Sequence, residues 1–473
     1  MRFVLVLLVV AVLGVTSAAG ALQSGYITPS DRPATGQASV ITPVLSPKRT
    51  PRVMLGTIRD ANANAAVASM VPSIPGHACV VVSNGEKNVY ELRLDEGFTP
   101  ASTQKLLVAH TILSLMDADD RFVTTAFAEA APNNGTIEGN LYLLGGGDPI
   151  LETTKYAARR QDDDRPYTNF DELADQLVAQ GVTSITGAII GDGSRYDAER
   201  SIPTWEARYL DQVSAGPLSG LGVNDGLATF TETEVPSYPG TPASDPPANT
   251  AKVLTELLQE RGVSVAGGPS SGVVPPERVE IAQIVSPPLR EVVAQMLEYS
   301  DNTTAELLTK EIAVRTGALG TSANGTQAIL ANLASLGVDT TNLVLNDGSG
   351  LDLGNRVTCS ALVQVLNAAG ANSPLASALP VAGESGTLAQ RMVDTPAAGN
   401  LRAKTGSLRN VSALAGYVRG NDGRTYTFAY IDNAPGGSAI PAGDAEAQSA
   451  LGSGLASLHE VEPPTAILPV PIG

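Results

Sequence analysis

Three short segments of the 473-residue chain carry side chains whose types could act together: Ser102-Thr103-Gln104-Lys105, Glu298-Tyr299-Ser300-Asp301-Asn302 and Ala403-Lys404-Thr405-Gly406-Ser407. The first lies in FTPASTQKLLVAHTIL, residues 98–113, which reads as the opening of a strongly apolar helix. A serine at a helix start is ordinarily an N-cap, and a capping box then wants Glu or Gln three residues later. Lys105 stands there instead, where free N–H groups and the positive end of the helix dipole disfavour a cation by about 0.3–1 kcal/mol. The i, i+3 spacing places the two side chains on one face, so the amine can reach the hydroxyl. At an ordinary pKa near 10.4, only about 1 lysine in 10³ to 10⁴ is neutral at pH 7. Burial and the helix end both favour the neutral amine, which is the form a general base needs.

A lysine base is attractive because the histidines offer none. His77 precedes the first readable strand, His110 lies eight residues beyond Ser102 and His459 is near the C-terminus. None stands in a G-x-S-x-G elbow or a metal motif, so each reads as a structural or surface residue, and a Ser-His-Asp triad or zinc hydrolase fits poorly. S-x-x-K alone recurs by chance. Ser300-Asp301-Asn302 alone is an interhelix turn with a cap, and Lys404-Thr405-Gly406 alone is a strand end. In the order S-x-x-K, S-D-N, K-T-G, however, the three form the signature of penicillin-recognising serine acyl-enzymes.

From about residue 78 to 435 the chain resembles the D-alanyl-D-alanine carboxypeptidase/endopeptidases among the class C penicillin-binding proteins. The resemblance rests on the three motifs and on FTPASTQKLL, YLLGGGDPIL, GPLSGLGVN, NDGSGLDLGNRVT, LPVAGESGTL and LRAKTGSLRNVSALAGYV. The spacing from Ser102 to Ser300 is shorter than in members with two inserted domains, so a second insertion is expected to be missing or reduced to a loop near residues 236–249. The resemblance implies that Ser102 is the nucleophile and Lys105 its base. Ser300 relays a proton to the leaving amine, and Asn302 bonds the Lys105 side or the substrate amide. Lys404 holds positive charge near the relay and the substrate carboxylate, which the hydroxyls of Thr405 and Ser407 bind, while Gly406 permits close backbone approach. The backbone N–H groups of Ser102 and Ser407 form the oxyanion hole. The implied partners are peptidoglycan stem peptides and β-lactam antibiotics, and the competing readings are a β-lactamase and a non-hydrolytic sensor of β-lactams or wall peptides.

Positioning these segments requires a scaffold built from both ends of the chain. Residues 78–83 and 88–92 read as strands joined by Asn84-Gly85-Glu86-Lys87, a hairpin signal. Residues 401–405, 411–418 and 425–432 read as a closing meander. Helical periods cover 289–299, 305–315, 325–336 and 359–369. The expected architecture is α/β (α+β): a penicillin-binding transpeptidase-like domain with a five-stranded antiparallel sheet flanked by helices, split by an inserted mixed α/β domain. The catalytic domain takes residues 51–116 and 287–459, and the insertion takes 117–286. Within the insertion, strands are expected at 140–144 and 186–190, a helix at 171–180 and a Pro-rich loop at 236–249.

Formal net charge is −18 with no basic run, which argues against a nucleic-acid partner. Gly145-Gly146-Gly147 lacks the Gly-Lys-Ser/Thr continuation of a nucleotide loop. Asp162-Asp163-Asp164 reads as a solvated loop without metal-ligand spacing, so no cofactor or metal is expected. Residues 1–21 have the layout of a secretory signal, with an uncleaved anchor as the lesser alternative. Export places the protein in the periplasm, cell wall or extracellular space, with peripheral or no membrane association. Residues 22–50 read as a Pro/Ser/Thr-rich linker and 460–473 as a loosely attached tail. In an oxidising compartment the two cysteines, Cys79 and Cys359, form either a disulfide or two separate buried small hydrophobes.

Overall fold

The computed structural model describes residues 50–160, 164–233 and 240–461. The expected signal segment, nearly all of the linker, Asp162, Asp163 and the tail from 462 lie outside the described residues. Five strands form one antiparallel sheet in the order Leu401–Leu408, Val411–Arg419, Thr425–Asn433, His77–Ser83, Asn88–Leu92. The register joins the two ends of the chain, with Val80 opposite Tyr430 and Val82 opposite Phe428.

Alternation along the central strand shows how the sheet is covered. Cys79 and Val81 face one apolar core, while Ala78, Val80 and Val82 face another. A strand buried on both faces reads as a continuous β-branched run, which is what HACVVVS supplies. The first core holds helices Lys105–Leu115, Leu289–Glu298, Asn302–Arg315 and Cys359–Ala369. The second is closed by Thr50–Met70 through Ala63, Val67 and Met70, and by Asp444–Ala456 through Ala447, Leu451 and Leu455. Both sets repeat every three or four residues, so each helix presents one apolar stripe to the sheet. A disulfide between Cys79 and Cys359 ties the central strand to the helix beneath it.

Residues 126–284 contribute a separate core. Its five-stranded mixed sheet runs Ser270–Ser271, Ile189–Asp192, Leu141–Leu144, Val123–Ala128, Val279–Val285, packed by helices Asp171–Ala179 and Pro246–Glu260. The expected strand at 186–190 is instead two short strands, Ser184–Ile185 and Ile189–Asp192. Of the expected loop at 236–249, residues 236–239 lie outside the described residues, Gly240–Pro242 form a short strand, and helix begins at Pro246, whose N-cap Asp245 accepts a bond from Ala248 N. Prolines at the first helical positions lose no hydrogen bond, because those N–H groups have no partner within the helix.

Two further differences concern the motifs. Ser102 lies in a 3-10 turn, Ala101–Gln104, and the α-helix begins only at Lys105. The third motif does not end its strand, which continues to Leu408. Among the described residues no helix is long and apolar enough to cross a membrane.

Candidate active site

The turn that carries Ser102 is held in an unusual conformation. Ala101 has φ +48°, a left-handed geometry that costs a non-glycine residue on the order of 1–3 kcal/mol and persists only where its surroundings enforce it. Two glycines do so. Gly350, itself at φ +85°, lies so close beneath that a Cβ there would sit 2.0 Å from Ala101 O. Gly406 brings the third-motif strand alongside, where a Cβ would fall 2.7 Å from Pro100 O and 3.2 Å from Thr103 N.

Lys105 is fully buried, and its Nζ donates to Ser102 Oγ (2.9 Å), Asn302 Oδ1 (2.8 Å) and Ser349 O (2.7 Å). Burial lowers its pKa to about 8, against the opposing pull of the Asp347, Glu306 and Asp301 carboxylates. A neutral amine keeps two N–H donors. With Asn302 and Ser349 accepting those, its lone pair faces the Ser102 hydroxyl.

The second motif is the junction of two helices. Leu289–Glu298 closes with Asp301 N donating to Met296 O, and Ser300 takes the left-handed position, φ +58°, where glycine is usual. Asp301 then caps the next helix, its Oδ1 accepting from Thr304 N, while Oδ2 accepts from Arg165 Nη2 and Gln295 Nε2. The cap places Asn302 at the first helical position with its amide toward Lys105. Lys105 forms no bond to Ser300; its three contacts go to Ser102, Asn302 and Ser349.

Lys404 is also fully buried and donates to Thr405 O at 2.9 Å. Burial first, then the nearby Lys105 charge, holds its pKa well below the ordinary lysine value. Thr405 Oγ1 donates to Thr387 Oγ1 at 2.9 Å. The strand through Lys404, Gly406 and Ser407 packs against the Ser102 turn, so all three motifs meet at one place.

Several participants were not singled out from sequence. Asp347, fully buried, accepts from Gly350 N (2.9 Å), Asn355 Nδ2 (2.8 Å) and Gln104 Nε2 (3.1 Å) at Oδ1, and from Trp205 Nε1 (2.8 Å) and Asp352 N (2.7 Å) at Oδ2. Glu306 accepts from Gly348 N (3.0 Å) and Ser349 N (2.7 Å), and burial together with Asp347 raises its pKa. The two carboxylates clamp the loop whose carbonyl receives Lys105. Asp347, Gly348, Ser349 and Gly350 stood within NDGSGLDLGNRVT, but only as part of a resemblance. Among the described residues no cluster of His, Cys, Asp and Glu is arranged to hold a metal ion.

The chain is similar to known D-alanyl-D-alanine carboxypeptidases. The D-alanyl-D-alanine carboxypeptidase of Actinomadura sp. (strain R39) is 31% identical over 441 residues, covering 78% of this chain and 79% of that one. Carboxypeptidase DacB of Mycolicibacterium smegmatis is 34% identical over 360 residues, covering 73% and 74%. Penicillin binding protein 4 (dacB) of Haemophilus influenzae shares the fold, with TM-score 0.69 at 21% identity over 81% of this chain and 98% of that one. That protein has also been solved in complex with a β-lactam (TM-score 0.62, 22% identity, 81% and 97% covered). A family model matches residues 61–244 and 238–451, which together span all three motifs. The chain belongs to the D-Ala-D-Ala carboxypeptidase 3 (S13) family.

Proposed function

We propose that the Ser102 site is the acyl-transfer centre of a serine-type D-Ala-D-Ala carboxypeptidase that cleaves peptidoglycan stem peptides, also serves D,D-endopeptidase cleavage, and is inhibited by β-lactams. The observation that carries this reading is the buried Lys105 amine 2.9 Å from Ser102 Oγ, with two other acceptors fixing its direction. Ser102 Oγ attacks the carbonyl of the terminal D-Ala-D-Ala bond as Lys105 takes its proton. The backbone N–H groups of Ser102 and Ser407 stabilise the oxyanion, each worth about 2.7–4 kcal/mol where such donors have been removed. In the substrate complex the proton passes by way of Ser300, which does not bond Lys105 in the resting site, to the leaving amine, D-alanine departs, and water then hydrolyses the acyl-enzyme. Lys404, Thr405 and Ser407 receive the substrate carboxylate, which restores the charge that burial and Lys105 disfavour on Lys404.

A β-lactam acylates the same serine but leaves no departing group to make room for water. Slow release is supported by the carboxylates that act on Lys105. Asp301, Glu306 and Asp347 are each engaged by N–H donors, so none is free to activate water as a β-lactamase would require. In this reading residues 117–286 form an inserted domain between the two parts of the catalytic domain, 51–116 and 287–459. Residues 1–21 are an export signal, and the protein works in the periplasm, cell wall or extracellular space.

The test is a mass measurement. The protein should gain one penicillin at Ser102 and release D-alanine catalytically from a pentapeptide, and Ser102→Ala should lose both. Labelling that persists in Ser102→Ala refutes the assignment, and release of a single equivalent of D-alanine identifies a sensor instead.

A further inference from the structure

Two of the three groups that bond Lys105 Nζ are themselves oriented from the inserted block. Asn302 Nδ2 donates to Ser214 O at 2.7 Å, which settles which way the amide faces and points Oδ1 at Lys105. Nearby, Gly216 N donates to Thr303 Oγ1 at 2.9 Å, fastening that segment to the start of the Asn302 helix. The second route runs through one peptide group. The carbonyl of Ser349 accepts from Lys105, and the N–H on the other side of that peptide bond, Gly350 N, donates to Asp347 Oδ1. A carboxylate at the N–H end of a peptide strengthens the carbonyl at its other end as an acceptor. Asp347 is in turn held by Trp205 Nε1, and the neighbouring Thr204 hydroxyl bonds Asp352.

The segment bearing Trp205 and Ser214 is built to stay in place. Tyr196, Ile202, Trp205, Tyr209 and Leu218 form an apolar cluster with Leu307 of the Asn302 helix and Leu351 of the Asp347 loop. Its base is pinned by Arg195, whose guanidinium meets Glu311 at 2.6 and 2.8 Å, and by Asp197, which pairs with the buried Lys310. Val213, just before Ser214, adopts φ +48°, a strained geometry that this packing sustains.

We propose that residues 195–218 act as a positioning strap for the catalytic base, setting the Asn302 amide through Ser214 O and the Ser349 carbonyl through Trp205 and Asp347. The strap touches no reacting atom; Ser214, Trp205 and Thr303 are positioning residues. The inserted block is therefore part of what makes Lys105 a base, besides any role in reaching the wall. This rests on Lys105 being the base. The charged groups acting on Lys105 are Asp347, Glu306 and Asp301, the last paired with Arg165, together with Lys404.

The experiment compares the full-length protein with Trp205→Phe, which keeps an aromatic ring but removes the N–H, and with Thr303→Val, which keeps the shape but removes the acceptor for Gly216. Single-turnover acylation by penicillin is followed from pH 5.5 to 9.5, and folding is checked by circular dichroism. Each variant is expected to displace the acid limb of the profile by about half a pH unit or more and to lower the plateau rate about tenfold, with the half-saturating penicillin concentration unchanged. Two folded variants whose limb and plateau match the wild type overturn the proposal. If one variant fails to fold, the other decides by the same criterion. A wild-type profile with no acid limb tells against Lys105 as base, whereas a wild-type limb that neither variant moves tells against the strap alone.

Discussion

The sharpest consequence of the site is a pH profile set by Lys105. With its pKa lowered to about 8, about one molecule in ten carries the neutral amine at pH 7, against about one in 3,000 for an unperturbed lysine. Acylation by penicillin should therefore climb about tenfold per pH unit up to about pH 8 and then level off. The same shift appears in stability, with a sign that can be worked out. The folded-state pKa lies below the unfolded value of 10.5, so between about pH 8 and 10.5 the unfolded chain binds more protons and stability rises with pH. Below that window the buried ammonium costs about 3 kcal/mol, from about 1.4 kcal/mol per pKa unit. Rapid-quench acylation at closely spaced pH values measures the first effect. Urea unfolding of the wild type against Lys105→Met measures the second, and the difference between them should shift in favour of the wild type by about 3 kcal/mol on going from pH 7.5 to 10.5. A limb at or above pH 10, or acylation flat between pH 6 and 8, refutes the reasoning.

Two further outcomes follow from the scaffold. Opening the Cys79–Cys359 bridge, which spans 280 residues of sequence, frees loop-closure entropy of about 5 kcal/mol, so the Cys79→Ala/Cys359→Ala protein should unfold at much lower urea. Unfolding curves with and without reductant check this, and curves that coincide contradict it. Gly350→Ala should cut penicillin acylation at least a hundredfold, since a methyl there meets Ala101 O and strains a φ of +85°. Labelling of the Gly350→Ala protein at the wild-type rate would show that the Ser102 turn does not depend on that close approach.

The three motifs were legible because their chemistry resides in side-chain types at fixed intervals: a serine, a lysine three residues on, and two later segments in a recognisable order. The central sheet was legible from β-branched runs at both ends of the chain. What orients the Lys105 amine was not. Ser214 O, Ser349 O and Gly350 N are main-chain atoms that every residue type presents, so no pattern of letters announces them. Trp205 and Asp347 lie 142 residues apart and meet only through the fold. Helix Thr50–Met70 escaped notice because its Ala- and Asn-rich sequence shows little contrast between faces, and its buried stripe becomes evident only against the sheet. Helix Pro246–Glu260 was obscured by paired prolines, which signal a loop everywhere except at a helix start.

The bridge between Cys79 and Cys359 also governs what a protease that meets the chain can accomplish. It closes a covalent ring around the first two motifs and residues 117–286, and leaves Lys404 outside. One cut between residues 80 and 358 opens the ring but yields a nicked protein that still travels as one molecule, separating only when reduced. A cut between 360 and 400 leaves the Lys404 strand joined to the rest by sheet pairing and packing alone. Exposed positions within residues 117–286 can thus be clipped without dispersing the enzyme, and the short stretch ahead of the third motif is where proteolysis would dismantle it.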